Sequence, residues 1–386
     1  MRTLQDMNFK DQRVLVRVDY NVPLKDGSVD DDRRIQESLP TINFILSQKP
    51  KQIILLTHLG RPDGKVVESL RLNSVAKRLS ELLKTEVKKL DDCIDVKIPD
   101  AKIVLLENLR FHPEEEVNDA LFARKLASYG DIYVNEAFSG SHRAHASIVG
   151  IPKLLPGCAG FCLQKEIENL TLKNAQKPIV AIMGGSKVSD KIKLIENMTK
   201  KVDYILLGGA MIFTFYKAEG FNIGKSKCES DKIELAKKLL KDYGKKLILP
   251  IDVLVADSIG ETAKTRNVGV EFIRDNDIGV DIGAQTIEKY KEILDSAKTV
   301  VWNGPVGIFE IKAFANGTFE IAKHLATLKA KTIVGGGDTA SAVEKAGVAS
   351  KMTHVSTGGG ASLELLEGKE LPGVAVLENN LKKYMY

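Results

Sequence analysis

Short apolar runs alternate with amphipathic stretches along this chain. In the first half, "VLVRVDY" (14–20), "QIILLTH" (52–58), "KIVLLEN" (102–108) and "DIYVNEA" (131–137) read as strands. Between them, "RIQESLPTINFILSQ" (34–48) and "NSVAKRLSELLKT" (73–85) space their apolar residues as helices do. The second half continues with strands at "PIVAIMG" (178–184), "YILLGG" (204–209), "KLILPIDVLVA" (246–256), "TVVWNG" (299–304), "KTIVGG" (331–336) and "THVST" (353–357), and a helix at "KVSDKIKLIENMTKKV" (187–202). Apolar strands separated by helices predict an α/β fold of parallel sheets, with ligands beyond the carboxyl ends of the strands.

Glycine usage marks a division. Of 31 glycines, 8 lie in residues 1–177 and 23 in 178–386. The stretch "GFCLQKEIENLTLKNAQKP" (160–178) reads as a connecting helix between the halves. The expected domains are 1–165 and 166–369, with a tail of about 370–386 packing back on the first.

The second half repeats one device at its strand ends: Gly184–Gly185, Gly208–Gly209, Gly335–Gly337 and Gly358–Gly360. Bare backbone lets a ligand approach closely, and a following helix offers unpaired N–H groups and a positive dipole end to phosphate. The other reading is of tight turns only, which four such junctions on one sheet make less economical. No P-loop pattern is present; "GGGDTA" (335–340) fits a dinucleotide pattern, but no acidic residue stands near 355 for the ribose. Lys187 and Lys191, four apart at an expected helix start, share one face and suit an anion or a solvated surface. Asp338 could cap a helix or hold Mg²⁺, and Glu310 could accept ribose hydroxyls or face solvent.

The first half sets cations at its strand ends instead: Arg17, Arg34, His58, Arg61, Arg110, His142, Arg143 and His145. Guanidinium forks match carboxylate and phosphate oxygens, so convergence of these side chains would make a receptor for a small, highly anionic molecule. Asp19 and Asn21 add hydrogen-bonding groups for hydroxyls. Two anion sites of different design point to phosphoryl transfer.

Composition narrows the class. With 56 basic and 51 acidic residues, the net charge of +5 is no nucleic-acid signature. The spacings of Cys93, Cys158, Cys162 and Cys228 fit neither a redox pair nor a zinc quartet, and no window nears the ~20 apolar residues of a membrane span. A soluble cytoplasmic protein with reduced thiols is expected, with no nucleic-acid or membrane partner.

Together, "RVDYNVP" (17–23), "THLGRP" (57–62), "LLENLRFHPEEE" (105–116), "SHRAHAS" (141–147), "GGSKVSDKI" (184–192), "LGGAMIFTF" (207–215), "WNGPVGIFE" (302–310), "GGGDTA" (335–340) and "STGGGASLELLEG" (356–368) closely resemble the phosphoglycerate kinase family. Tyr20, Glu136 and Ser186 depart from its usual phenylalanine, aspartate and alanine without removing a family ligand. The resemblance implies two Rossmann-like domains joined by an interdomain helix and hinge. It implies reversible transfer between ATP and 3-phosphoglycerate, giving ADP and 1,3-bisphosphoglycerate, with Mg²⁺ as MgATP or MgADP, in a monomer of glycolysis. Asp19, Asn21, Arg34, His58, Leu59, Gly60, Arg61, Arg110 and Arg143 would then bind 3-phosphoglycerate. Lys191, Gly209, Asn303, Glu310, Gly336, Gly337, Asp338 and Thr339 would bind the nucleotide, Asp338 on the metal. Arg34, Lys187, Lys191 and the Gly358 and Gly359 amides would stabilise the moving phosphoryl group. No catalytic base is expected, because a carboxylate nucleophile with pKa near ~4 is already ionised. The rival readings are a nicotinamide dehydrogenase and an anion-binding protein without turnover.

Overall fold

The computed structural model of the chain describes residues 1–384. Two compact units divide it: Met1–Ile167 with the C-terminal segment from Glu370, and Glu168–Lys369. The division falls inside the Phe161–Leu170 helix. That helix is shorter than the expected 160–178 stretch; Leu172 takes a left-handed φ of 58°, which no continuing helix permits.

The first unit is built on a six-stranded parallel sheet. Its order is Val87–Lys89, Ile103–Leu105, Gln52–Leu56, Arg13–Arg17, Ile132–Asn135, Gly157–Ala159. The chain starts at the centre, works to one edge, then returns to the other side of Arg13–Arg17. All five residues of Gln52–Leu56 are buried, because helices cover both faces. Val14, Val16, Ile53 and Leu55 pack there with Ile35, Ile42 and Ile45 of the Arg33–Ser47 helix and Val75 and Leu79 of the Asn73–Leu83 helix. The Pro372–Lys383 helix belongs to this unit. Asn380 accepts the Gly157 amide at 2.9 Å and donates to the Pro152 and Leu155 carbonyls at 2.5 and 2.7 Å. The last two residues of the 370–386 tail lie outside the described residues.

The second unit repeats the plan. Its parallel sheet runs Leu247–Ile248, Tyr204–Leu207, Ile179–Met183, Thr299–Asn303, Lys331–Gly335, His354–Val355. Here the order reverses between Ile179–Met183 and Thr299–Asn303, which pair in parallel register. Trp302, Ile182, Val334, Tyr290 and Ile321 form its core.

Two further elements differ from expectation. The run 246–256 is not one strand: Leu247–Ile248 ends in the parallel sheet, and Asp252–Ala256 starts a different one. Pro250 stands between them, and proline lacks the N–H a ladder needs. Asp252–Ala256 is the centre of an antiparallel sheet with Thr265–Gly269 and Ile278–Ile282. Neither of those flanking strands was legible as an apolar run, since Thr265–Gly269 is mostly polar and exposed. The second difference is that the helix expected from 187 begins at Ile192. Among the described residues no helix is long and apolar enough to cross a membrane.

Leu55 sits fully buried on a central strand of the first unit. Leu55→Ala should cost about 2–5 kcal/mol in the urea-unfolding transition that reports this unit. A cost under about 1 kcal/mol would contradict the packing described.

Candidate active site

In the first unit the expected anion-binding residues lie beyond the carboxyl ends of four adjacent strands, Ile103–Leu105, Gln52–Leu56, Arg13–Arg17 and Ile132–Asn135. Asp19 accepts from Arg34 Nη1 at 2.7 Å and from the Ser139 hydroxyl. Asn21 Oδ1 accepts the Gly60 amide at 2.9 Å, and the Gly60 carbonyl accepts from Arg110 Nη1 at 2.9 Å. The Asn21 amide donating to Asp19 Oδ1 at 3.1 Å and Arg34 Nη1 donating to the Asn21 carbonyl at 3.3 Å join Asp19, Asn21, Arg34, Gly60 and Arg110 into one chain. Leu59 is held at both ends of its peptide by Asn108, whose Oδ1 accepts its amide at 3.2 Å and whose Nδ2 donates to its carbonyl at 2.7 Å. Asn108 was not singled out in the sequence; an amide inside "LLENLR" gives no local sign that it braces a neighbouring loop.

Arg17 proves to be an internal brace. It is buried, donates to Ser147 Oγ at 2.8 Å, and its Nη2 lies 3.1 Å from His58 Nδ1. Arginine only donates, so His58 Nδ1 accepts and a neutral ring carries its proton on Nε2. The ring is neutral: burial, then the charges of Arg17 and Arg110, hold the His58 pKa well below its ordinary value. His145 falls to about 4 through burial, then Arg110, Arg17 and Arg143. Burial, with Arg143 and Arg17 nearby, also holds Arg110 below the usual guanidinium range. Glu116, 3.4 Å from Arg110 Nε, and the buried Glu115 offset part of this positive charge. Arg143 joins the group through His142, its Nε lying 3.2 Å from Nε2. Arg61 is exposed and makes no ion pair among the described residues.

In the second unit the four glycine junctions lie at the carboxyl ends of strands of one sheet. Some are demanded by the fold itself. A Cβ at Gly209, where φ is 69°, would stand 2.5 Å from the Gly185 carbonyl oxygen. Gly337 and Gly359 differ: a Cβ at either would meet nothing within 4 Å. Gly337 opens the Gly337–Lys345 helix and Gly359 precedes the Gly360–Leu366 helix, so open space faces unpaired first-turn amides. Gly358 corrects the expectation of bare nitrogen: it is buried, and its amide donates to Ser356 Oγ at 3.2 Å.

Lys191 is largely buried just before the Ile192–Thr199 helix, with its ammonium on Asn303 Oδ1. Burial lowers its pKa, while Asp190, Asp338 and Glu367 oppose the shift. Asn303 Nδ2 donates to the Gly335 carbonyl at 2.9 Å, and Thr339 Oγ1 accepts the Gly304 amide at 2.7 Å. Asn303 and the buried Thr339 thus tie strand-end turns together. Lys187 is exposed in the turn before the helix and does not share a helical face with Lys191.

A cavity of about 580 Å³ opens beside these turns. Gly185, Gly209, Glu310 and Asp338 line it with an apolar wall that includes Phe213, Pro305, Val306 and Ile308. The antiparallel sheet contributes Ile278, Gly279, Val280 and Asp281. That wall comes from Ile278–Ile282, whose apolar residues are broken up by Gly279 and Asp281 and so do not stand out as a run. Lys225 and Lys227 also reach the cavity. The Asp281 carboxyl is raised to about 8 by burial, against amide donors at Gly317 and Ile282.

The class that this geometry defines is an α/β protein of two parallel-sheet units, with a cavity of about 580 Å³ in one and an arginine cluster at the strand ends of the other. The sequence model of the family described as "Phosphoglycerate kinase" matches residues 4–369. Curated proteins of that name from Dictyoglomus turgidum and Chlorobium phaeobacteroides are each 52% identical, over 97% and 98% of this chain and 98% and 99% of theirs. The solved phosphoglycerate kinase from Coxiella burnetii superposes with a TM-score of 0.93 at 40% identity, covering 98% of this chain and 99% of that one. That from Pyrococcus horikoshii OT3 gives 0.82 at 32% identity, covering both chains fully. The chain belongs to the phosphoglycerate kinase family, and it is an enzyme, a kinase.

Below pH 6.5 an unfolded histidine takes up a proton that folded His145 refuses until about 4. The stability this group contributes is therefore complete above 6.5 and is lost as pH falls toward 4. Urea unfolding measured across that range should show the loss, and His145→Gln should flatten it. Identical slopes in the two proteins would contradict the buried neutral ring.

Proposed function

We propose that this enzyme catalyses reversible transfer of the γ-phosphoryl group of MgATP to the carboxylate of 3-phosphoglycerate. The observation carrying this reading is the pairing of two unlike anion sites, each at the carboxyl ends of its own parallel sheet. The acid would occupy the first unit. Arg34, Arg110, Arg143, Arg61 and the Nε2–H of His58 would hold its charged oxygens, and Asp19 and Asn21 its hydroxyl. The Leu59–Gly60 peptides would complete the loop around it. The nucleotide would lie in the second-unit cavity, with its base against the apolar wall and its ribose near Glu310. Its phosphates would approach Gly209, Gly336, Gly337 and Gly359.

Asp338, an exposed carboxylate in the first turn of the Gly337–Lys345 helix, fits the one-carboxylate share that Mg²⁺ takes when nucleotide phosphates supply other ligands. The metal would partly neutralise the phosphate oxygens.

In the reaction a carboxylate oxygen of the acid forms the new P–O bond. The bond from the γ-phosphorus to the bridging oxygen breaks, and its electron pair leaves with ADP. No proton moves, which accords with the neutral His58 and His145 beside the acid site. Catalysis is then positioning and charge stabilisation, assigned to Arg34, Lys187, Lys191 and the amide of Gly359, with Gly358 shaping the turn. Transfer requires the bound ligands to meet, so the reading includes closure of the units as both bind. Turnover in the cytoplasm by a monomer, as a step of glycolysis, completes it.

A coupled assay with 3-phosphoglycerate and MgATP should show ADP formation that depends on the acid; none would refute the reading. Lys191→Ala should lower kcat by about 100-fold or more. Gly337→Ala, where the fold leaves room for a methyl, should keep its unfolding midpoint yet raise the KM for ATP. Normal nucleotide affinity in Gly337→Ala would remove that amide from the site.

A further inference from the structure

One side-chain cluster in the first unit takes no part in the chemistry above. Asp92 and Cys93 adjoin each other in the segment between the Val87–Lys89 and Ile103–Leu105 strands. His112 comes from the turn after Leu109–Phe111. One potential ligand atom from each lies within 4.8 Å of the other two. We propose that Asp92, Cys93 and His112 form a binding site for a thiophilic divalent transition metal of the zinc class.

The donor set is nitrogen, sulfur and carboxylate oxygen, the combination that borderline-soft ions select and that Mg²⁺ and Ca²⁺ do not. Its members are held by the fold. His112 Nε2 lies 2.6 Å from Asp92 Oδ1, and the Cys93 amide donates to the same oxygen at 2.6 Å. The His112 ring packs on Phe122 with centroids 5.5 Å apart. The thiol is buried, His112 is half-buried and the Asp92 side chain is exposed. Burial, then the charges of Asp92 and Glu115, push the Cys93 thiol up, so the ion itself must displace its proton.

Binding exchanges the S–H bond for a sulfur–metal bond, and the thiol proton leaves to buffer. His112 gives its Nε2 lone pair in place of its contact with Asp92, and Asp92 gives a carboxylate oxygen. Three protein ligands leave a fourth tetrahedral position to water. The bound ion would tie the 92–93 segment to the turn that carries Arg110, without using any residue of the acid-binding chain.

Cobalt(II) is the probe. The full chain, treated with chelator and free of nucleotide, is titrated with cobalt chloride and then with zinc chloride. The expected result at one equivalent is a thiolate-to-cobalt charge-transfer band in the near ultraviolet, with visible bands of tetrahedral intensity that zinc abolishes. Cys93→Ser and His112→Gln should each lose the band and weaken binding at least about 100-fold, the upper end of what even an outer-shell partner contributes. Cys228→Ser should retain both. A wild-type spectrum without charge transfer would overturn the site, as would a band that survives Cys93→Ser. Circular dichroism reports whether Cys93→Ser folds; if it does not, the half-buried His112→Gln decides, and an unchanged band there overturns the site equally.

Discussion

At the point where the second sheet reverses its order, main chain packs directly on main chain. A Cβ at Gly184 would stand 1.8 Å from the Pro305 carbonyl oxygen, and one at Gly304 would stand 2.2 Å from that of Gly184. Gly185 and Gly209 meet in the same manner one strand further along. Without these contacts the strand-end turns would separate by the width of a side chain. Asn303 could then not reach both Lys191 and the Gly335 carbonyl, nor Thr339 the Gly304 amide. The residues around the cavity hold their places because the turns beneath them touch.

On the proposed reading, the two units would meet one electrostatic problem by different means. A multiply charged anion leaving water needs fixed positive charge or fixed dipoles in exchange for its hydration. The second unit offers helix starts at Gly337 and Gly360 with one largely buried ammonium, Lys191. The first concentrates guanidinium groups and keeps His58 and His145 neutral among them. Charge there is carried by arginines, which do not titrate near neutrality, while the two histidines stay uncharged. A site of that kind holds its field constant across physiological pH.

Much of this was legible in the sequence because the sheets are parallel. Strands buried on both faces appear as apolar runs, and the structure places Asp19, His58, Arg110 and Asp338 beyond the carboxyl ends of such strands, as the runs predicted. What escaped notice depends on contacts distant in sequence. The Ile278–Ile282 strand forms one cavity wall, but its apolar residues are interrupted by Gly279 and Asp281, and its neighbour Thr265–Gly269 is mostly polar and exposed. Whether a strand-end glycine serves the turn or the ligand depends on what lies opposite: Gly209 faces Gly185, whereas Gly337 faces open space. Gly358 and Arg17 were read as ligand-facing, and their partners, Ser356 for one and Ser147 with His58 for the other, become visible only after folding.

The central claim is that nucleotide phosphate is received by main-chain nitrogen at the carboxyl ends of the second sheet. A crystal structure of the second unit's site with a bound, non-hydrolysable ATP analogue and Mg²⁺ tests it most directly. Phosphate oxygens should lie within about 3 Å of the Gly337 or Gly359 amides, with the base against Val306 and Ile308. Phosphates directed elsewhere, with those amides still facing solvent, would contradict it.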